Sequence, residues 1–291
     1  MSLLESIWTN EIRRDFVEET DFVAYSKDYS SYVNNDTLYL VKAGGIPKVV
    51  WNHPDGTPLP KSKRNDTPLA IPMERMDTEN QEVSNLEQIQ LKYDKLKDVA
   101  DDMREGLRQD FALRAAQEWA PEQNTAMTPV LPTTGEADAS GLKKITFDDL
   151  ITLRGRFNKM KVPPKGRILL LTTDHEDQLM MEDKDRYHRL FDGKDMVYGF
   201  RIFRYGDNPR FNKDTLQKVS FGAADAATDV QASIAWHERK VGRALGRLIA
   251  FRSKAADDPV NRENLVGFRQ MAKLTQVAQE YLAALVPVSN V

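Results

Sequence analysis

The sequence predicts a mixed α+β fold, and three observations carry the prediction. Across residues 84–119 apolar side chains recur in steps of three and four, at Leu86, Ile89, Tyr93, Leu96, Ala100, Met103 and Leu107, with no proline and one glycine. That spacing is one stripe of a helix. Residues 167–171, "RILLL", are a short apolar run between a Pro/Gly turn and a new helix start, as in a buried strand. Leu38, Leu40 and Val41, then Val49, Val50 and Trp51, read as two strand pieces separated by Gly44-Gly45.

Taken in order, residues 1–33 mix charges with Trp8, Phe16, Phe22, Tyr25, Tyr29 and Tyr32. Residues 3–17 fit a short amphipathic helix that cannot bury its apolar face alone. Six of the chain's 14 prolines (Pro47, Pro54, Pro58, Pro60, Pro68, Pro72) follow in one stretch. Proline cannot donate to a ladder, so no central sheet runs through them. Val, Trp, Leu and Ile interleave with these prolines, which favours an extended arm lying on another surface over a flexible linker.

The helical stripe comes next. Ser84 with Glu87 reads as its capping box and Pro121 as its stop, for a length of about 50 Å. Only about three clean heptads pass before Asp110 takes a core position, so the stripe predicts a helix packed on a sheet rather than a coiled coil. Residues 121–141 read as a boundary loop. Thr146, with Asp149 three residues on, caps a helix whose apolar face is Phe147, Leu150, Ile151 and Phe157. Pro163-Pro164 and Gly166 turn into the strand 167–171, and Thr173 with Glu176 reads as the next capping box. A charged loop and a strand around 196–205 follow. In the last third, 232–251 fits a helix broken by Gly242 and Gly246, or a strand, a short helix and another strand; 265–287 is helix-like by propensity with even spacing that in part suits paired strands.

Composition excludes several functions. A net charge of −3 argues against a dedicated nucleic-acid binder. Zero cysteines exclude disulfides, thiolate catalysis and Cys-based zinc sites. No apolar run reaches the roughly 20 residues of a membrane span, and the start "MSLLESIWTNEIRRDF" lacks a signal-peptide core, so a soluble intracellular product without membrane partners is expected. No Walker or dinucleotide glycine loop and no nucleophile elbow is present.

The densest candidate chemistry is Asp174, His175, Glu176 and Asp177. A helical zinc site wants a second ligand one turn away, but His175 is followed by Gln178 and Leu179. His188 lies across the charged run, and His53 and His237 sit in segments without a ligand pattern. Acids in a first helical turn are favoured by the helix dipole, by about 0.3–1 kcal/mol each, without catalysis. The cluster "KSKR" at 61–64 reads as a solvated charge run.

In sequence order, these segments resemble the major capsid (coat) proteins of tailed double-stranded DNA bacteriophages, the Hong Kong 97-type fold. "NNDTLYLVKAGGIPKVVWN" through "TPLAIPMERMDTENQEV" resembles that family's extended loop, and "SNLEQIQLKYDKLKDVADDMREGLRQDFALRAAQEWAP" its spine helix. "ITFDDLITLRGRFNKMKVPPKGRILLLTTDHEDQLMMED" resembles its helix, turn, strand and short helix. "YGFRIFRY", "AWHERKVGRALG" and the end "DDPVNRENLVGFRQMAKLTQVAQEYLAALVP" resemble its later strands and C-terminal portion.

The resemblance implies an N-terminal arm (1–33), an extended loop (34–83), a peripheral domain with its spine helix (84–140, helix 84–119), a mainly axial domain (141–230) and a return through both sheets (231–291). It implies strands over much of 262–286. It implies a non-enzymatic shell subunit of the virion, without cofactor or metal, assembled in the host cytoplasm from pentamers and hexamers around double-stranded DNA. The partners implied are other copies, a separate scaffolding protein (none is fused ahead of the arm), a portal, decoration proteins and DNA held non-specifically. Inter-subunit contacts are expected from Trp8, Leu40, Val49, Val50, Trp51, Leu59, Leu69 and Ile71. Lys48, Lys61 and Lys63 are available for the covalent cross-link some members form, but nothing around them marks one as reactive. The rival readings are an encapsulin-type compartment shell and a metal-dependent hydrolase using Asp174, His175 and Glu176.

Overall fold

The structure is a computed structural model. It describes residues 19–42, 44, 47–54, 56–59, 61–84, 95–194, 196–253, 263–276 and 280–289. Two larger sheets organise it. The first contains β1 (Lys27–Asp28), β5 (Glu74–Asp77), β6 (Gln81–Ser84), β14 (Val241–Ser253) and β15 (Glu263–Gln276), in the order β1-β14-β15-β5, with β6 also on β15. The second runs β7 (Val130–Pro132), β16 (Ala283–Val286), β13 (Ser233–His237), β8 (Arg167–Leu171), β10 (Phe200–Arg204), β9 (Met196–Val197). A three-stranded sheet joins β2 (Val33–Asn34), β3 (Thr37–Lys42) and β4 (Thr67–Pro72), and a small ribbon pairs β11 (Arg210–Asn212) with β12 (Asp229–Gln231).

The long helix α1 is described over Lys95–Trp119 and packs on β15, a sheet contact as its stripe predicts. Ala100 and Met103 meet Val266 and Phe268, and further along Ala112, Ala115, Ala116 and Trp119 are buried. Its 25 described residues span about 37 Å. Ser84 ends β6, paired with Glu263, and its expected capping box with Glu87 lies outside the described residues. The last carbonyls of α1 are met by side chains from elsewhere. Lys218 Nζ donates to Gln117 O at 3.1 Å, and Gln276 Nε2 donates to Ala120 O at 3.3 Å. These satisfy groups that no helical N–H can reach.

In the second sheet β8 is buried on both faces, which is why it reads as an unbroken apolar run. Ile168 and Leu170 join Trp119, Trp236 and Phe22 on one side, while Leu169 and Leu171 join Phe147, Leu150 and Phe157 on the other. The Thr146 cap of α2 (Phe147–Lys159) is a full capping box with Asp149. Its apolar face is corrected by one residue: Leu153 is buried and Ile151 is exposed. The buried Arg167 guanidinium sits at the far end of α2. It donates to Asn158 Oδ1 at 2.8 Å, to Pro163 O at 3.1 Å and to Val162 O, under the rings of Phe157 and Phe200.

Other expectations shift. The cap of α3 (Thr173–Glu182) is Thr172, whose hydroxyl accepts from His175 N, rather than Thr173. The charged run after it is a helix, α4 (Lys184–Phe191), started by Asp183 accepting from Arg186 N at 2.9 Å. The strand at 196–205 is a hairpin, β9 and β10, turning at Tyr198 (φ 49°) and Gly199 (φ 86°). The ambiguous last third is strand: β13, β14, β15 and β16. Val49–Trp51 form no strand; the partner of β3 is β4. Met73 N donates to Asp36 O, so odd residues of this segment face β3 and the nitrogens of Pro68 and Pro72 point to the open edge. That is where a sheet tolerates proline.

Candidate assembly surfaces

Asp174, His175 and Glu176 point in three directions. His175 is buried, with Nδ1 2.6 Å from the Ser233 hydroxyl, which in turn accepts from Thr172 N at 3.0 Å. Burial alone pushes its pKa down to about 4, so the ring is neutral. Glu176 accepts from the Tyr187 hydroxyl and from Arg204, and Asp174 faces solvent. Among the described residues no group of three or more His, Asp or Glu is placed to hold a metal. The geometry the hydrolase reading requires is absent from this cluster: one member is a core histidine and one is in a helix-to-strand ion pair with Arg204.

The extended loop is built differently. Period-two alternation along β3 puts Leu38 and Leu40 inside and Tyr39 and Val41 outside. Leu40, 9% exposed, packs with Tyr29, Leu38, Met73 and Ala244, and Ile71 lies against the same cluster. Both were expected at a subunit boundary; within the subunit they belong to the cluster at the loop's base, which includes Ala244 of β14. Gly242 lets that base close: a Cβ there would come within 2.4 Å of the Tyr29 ring. Arg243 Nη1 donates to Val23 O (2.6 Å) and Ser26 Oγ (2.9 Å), fixing the incoming chain beside it.

Beyond the base the loop's apolar residues face outward. Trp51 is 85% exposed, Val49 78% and Leu59 61%, with Val50 and Leu69 also exposed. Pro47 and Pro54 flank the Val-Val-Trp run, which therefore has neither a ladder nor a core to enter. Gly44 N–H and then Arg64 hold the Asp66 carboxyl below the usual carboxylate range and tie the two loop arms together. Lys48, Lys61 and Lys63 are exposed, and His53 makes only a local turn contact with Thr57. Trp8 lies outside the described residues.

A second exposed apolar surface was not anticipated: Leu248, Ile249 and Phe251 on β14 with Leu265 on β15. The apolar run "LIAF" carries no alternation, so nothing in it signals that both faces of a strand stay open at this end.

The Pro-flanked loop, the long helix on a hairpin sheet and the second mixed sheet make up one known architecture: this is the α+β, Hong Kong 97-like capsid fold. Solved structures share it over nearly the whole chain. The capsid of cyanophage P-SCSP1u matches with TM-score 0.71 at 15% identity, covering 98% of this chain and 92% of that one. The mature capsid of bacteriophage PhiM1 matches at TM-score 0.67 and 12% identity (98% and 91%), and a chain of Mycobacterium phage Che8 at 0.66 and 12% (96% and 95%). No family model and no curated protein matches the sequence. No helix among the described residues is long and apolar enough to cross a membrane.

Proposed function

We propose that this chain is the structural subunit of a phage capsid, assembling as pentamers and hexamers into an icosahedral shell around double-stranded DNA. The observation that carries the reading is the loop: Val49, Val50, Trp51, Leu59 and Leu69 are exposed on a segment its own subunit cannot cover, in a chain with a capsid fold throughout. Large exposed apolar groups concentrated this way mark an interaction surface. In this reading residues 1–33 are the arm, 34–83 the extended loop, 84–140 the peripheral domain, 141–230 mainly the axial domain and 231–291 the return through both. The loop lies across a neighbouring copy, and the function is geometric rather than catalytic. A separate scaffolding protein, a portal and decoration proteins complete the assembly, and the mild net charge of −3 keeps packaged DNA from adhering tightly to the shell. Deleting residues 44–66 tests it. Shell closure is lost while the second sheet stays folded, as read by microscopy and circular dichroism; closed shells from the deleted chain would contradict the reading.

A further inference from the structure

Resting on that reading, we propose that the outer edge of β14, residues 246–253, pairs with strand β6 of a second copy, extending the first sheet across the subunit boundary. On its inner side β14 pairs with β15 as far as Ser253. On its outer side β1 covers only Gly242 and Arg243, and Ser30 Oγ takes the Leu245 N–H at 2.9 Å. From Gly246 onward no strand pairs with that edge among the described residues, and residues 247–253 are all exposed.

The direction of the free groups follows from the register. Phe268 N and O both bond Thr78, so even residues of β15 face away from β14 and odd ones face it. Arg269, Gly267 and Leu265 lie opposite Ile249, Phe251 and Ser253, which therefore bond inward. Leu248, Ala250 and Arg252 direct N–H and C=O at the open edge. The fold blunts the comparable edge of β4 with Pro68 and Pro72, whose nitrogens point outward without a proton. The β14 edge carries no proline and exposes Leu248, Ile249 and Phe251 beside it. An open edge with apolar flanks is a template for another strand.

Charge selects the partner. The edge carries Arg247 and Arg252, for which no ion pair is found among the described residues. β6 carries Glu82 and is preceded by Glu79, likewise without an ion pair there. Gln81 and Val83 lie opposite Val266 and Asn264, even residues that face β6, so Glu82 and Ser84 turn their backbone outward on a side no described strand occupies. A basic edge meeting an acidic edge of the next copy is a head-to-tail contact, the kind that closes into rings.

Ala250→Pro tests this, because the N–H it removes lies outside the β14–β15 ladder. The variant should fold with the circular dichroism of the parent, yet need roughly tenfold or more protein to assemble, while Ala250→Val assembles as the parent does. Reversing the edge (Arg247→Glu with Arg252→Glu) should block assembly, and adding Glu79→Lys with Glu82→Lys in the same chain should restore it. Should Ala250→Pro fail to fold, the charge reversal and its restoration decide. Assembly of Ala250→Pro at the parent's concentration, or no restoration by the second reversal, overturns the pairing and leaves the shell reading standing. A parent chain that never assembles overturns both.

Discussion

Trp51→Ala and Leu40→Ala separate surface from core within one loop. Trp51 is 85% exposed, so its removal takes away almost nothing inside the subunit. A tryptophan offers about 150–250 Å² of contact surface. At about 25 cal/mol per Å², burying the exposed share on a neighbour is worth roughly 3–5 kcal/mol per contact. At about 1.4 kcal/mol per factor of ten, the concentration needed for assembly should rise by roughly a hundredfold to a few thousandfold. The unassembled subunit should keep its stability within about 0.5 kcal/mol, as surface changes do. Leu40, in the cluster with Leu38, Met73 and Ala244, should behave in the opposite way. Its truncation should cost the subunit roughly 2–5 kcal/mol. Calorimetry of unassembled subunits, with light scattering across a concentration series, reads both quantities. A Trp51→Ala chain that melts early, or that assembles at the parent's concentration, would refute the reasoning.

Phe22 is fully buried among Trp119, Tyr205 and Trp236, so Phe22→Ala should cost about 3–5 kcal/mol in denaturant titration and loosen the segment that leads into the loop. His175 is neutral in the folded chain and ordinary when unfolded, so below pH 6.5 the unfolded state binds the extra proton. Its contribution is full above pH 6.5 and is lost as pH falls to about 4, roughly 3 kcal/mol in all. His237, also pushed down by burial, acts in the same direction. His175→Gln should flatten the fall in stability between pH 6.5 and 4, and an unchanged slope would contradict the assignment. Thr146→Ala removes the hydroxyl that accepts from Asp149 N, one half of the capping box, and should cost about 1 kcal/mol by chemical denaturation.

What was legible in the chain is what local chemistry decides. The stripe through Ala100, Met103 and Leu107, the Thr146–Asp149 box and the apolar run of β8 each carry their signal within a few residues. What was not legible depends on partners distant in sequence. "GRALGRLIAF" is a strand because β15 lies beside it through eight paired positions, which propensity cannot see. Val49, Val50 and Trp51 have strand-like composition but pair with no strand among the described residues, whereas β4, with two prolines, forms a strand because both nitrogens fall on its outer edge. The same logic divided the expected boundary residues. Leu40 and Leu38 share a parity that faces Ala244, so alternation along β3 would have marked Leu40 as core and Tyr39 and Val41 as outward. His175 among three acids resembled a site because residue types were adjacent; in the helix their side chains diverge, and the imidazole turns inward to Ser233.

The central claim is that this chain builds a closed shell through surfaces it cannot cover alone. Negative-stain microscopy of the purified chain across a concentration series tests that most directly. Rings, pentamers, hexamers or closed icosahedral particles are predicted. A monomer under all conditions, well folded and with residues 47–59 packed on its own body, would contradict it.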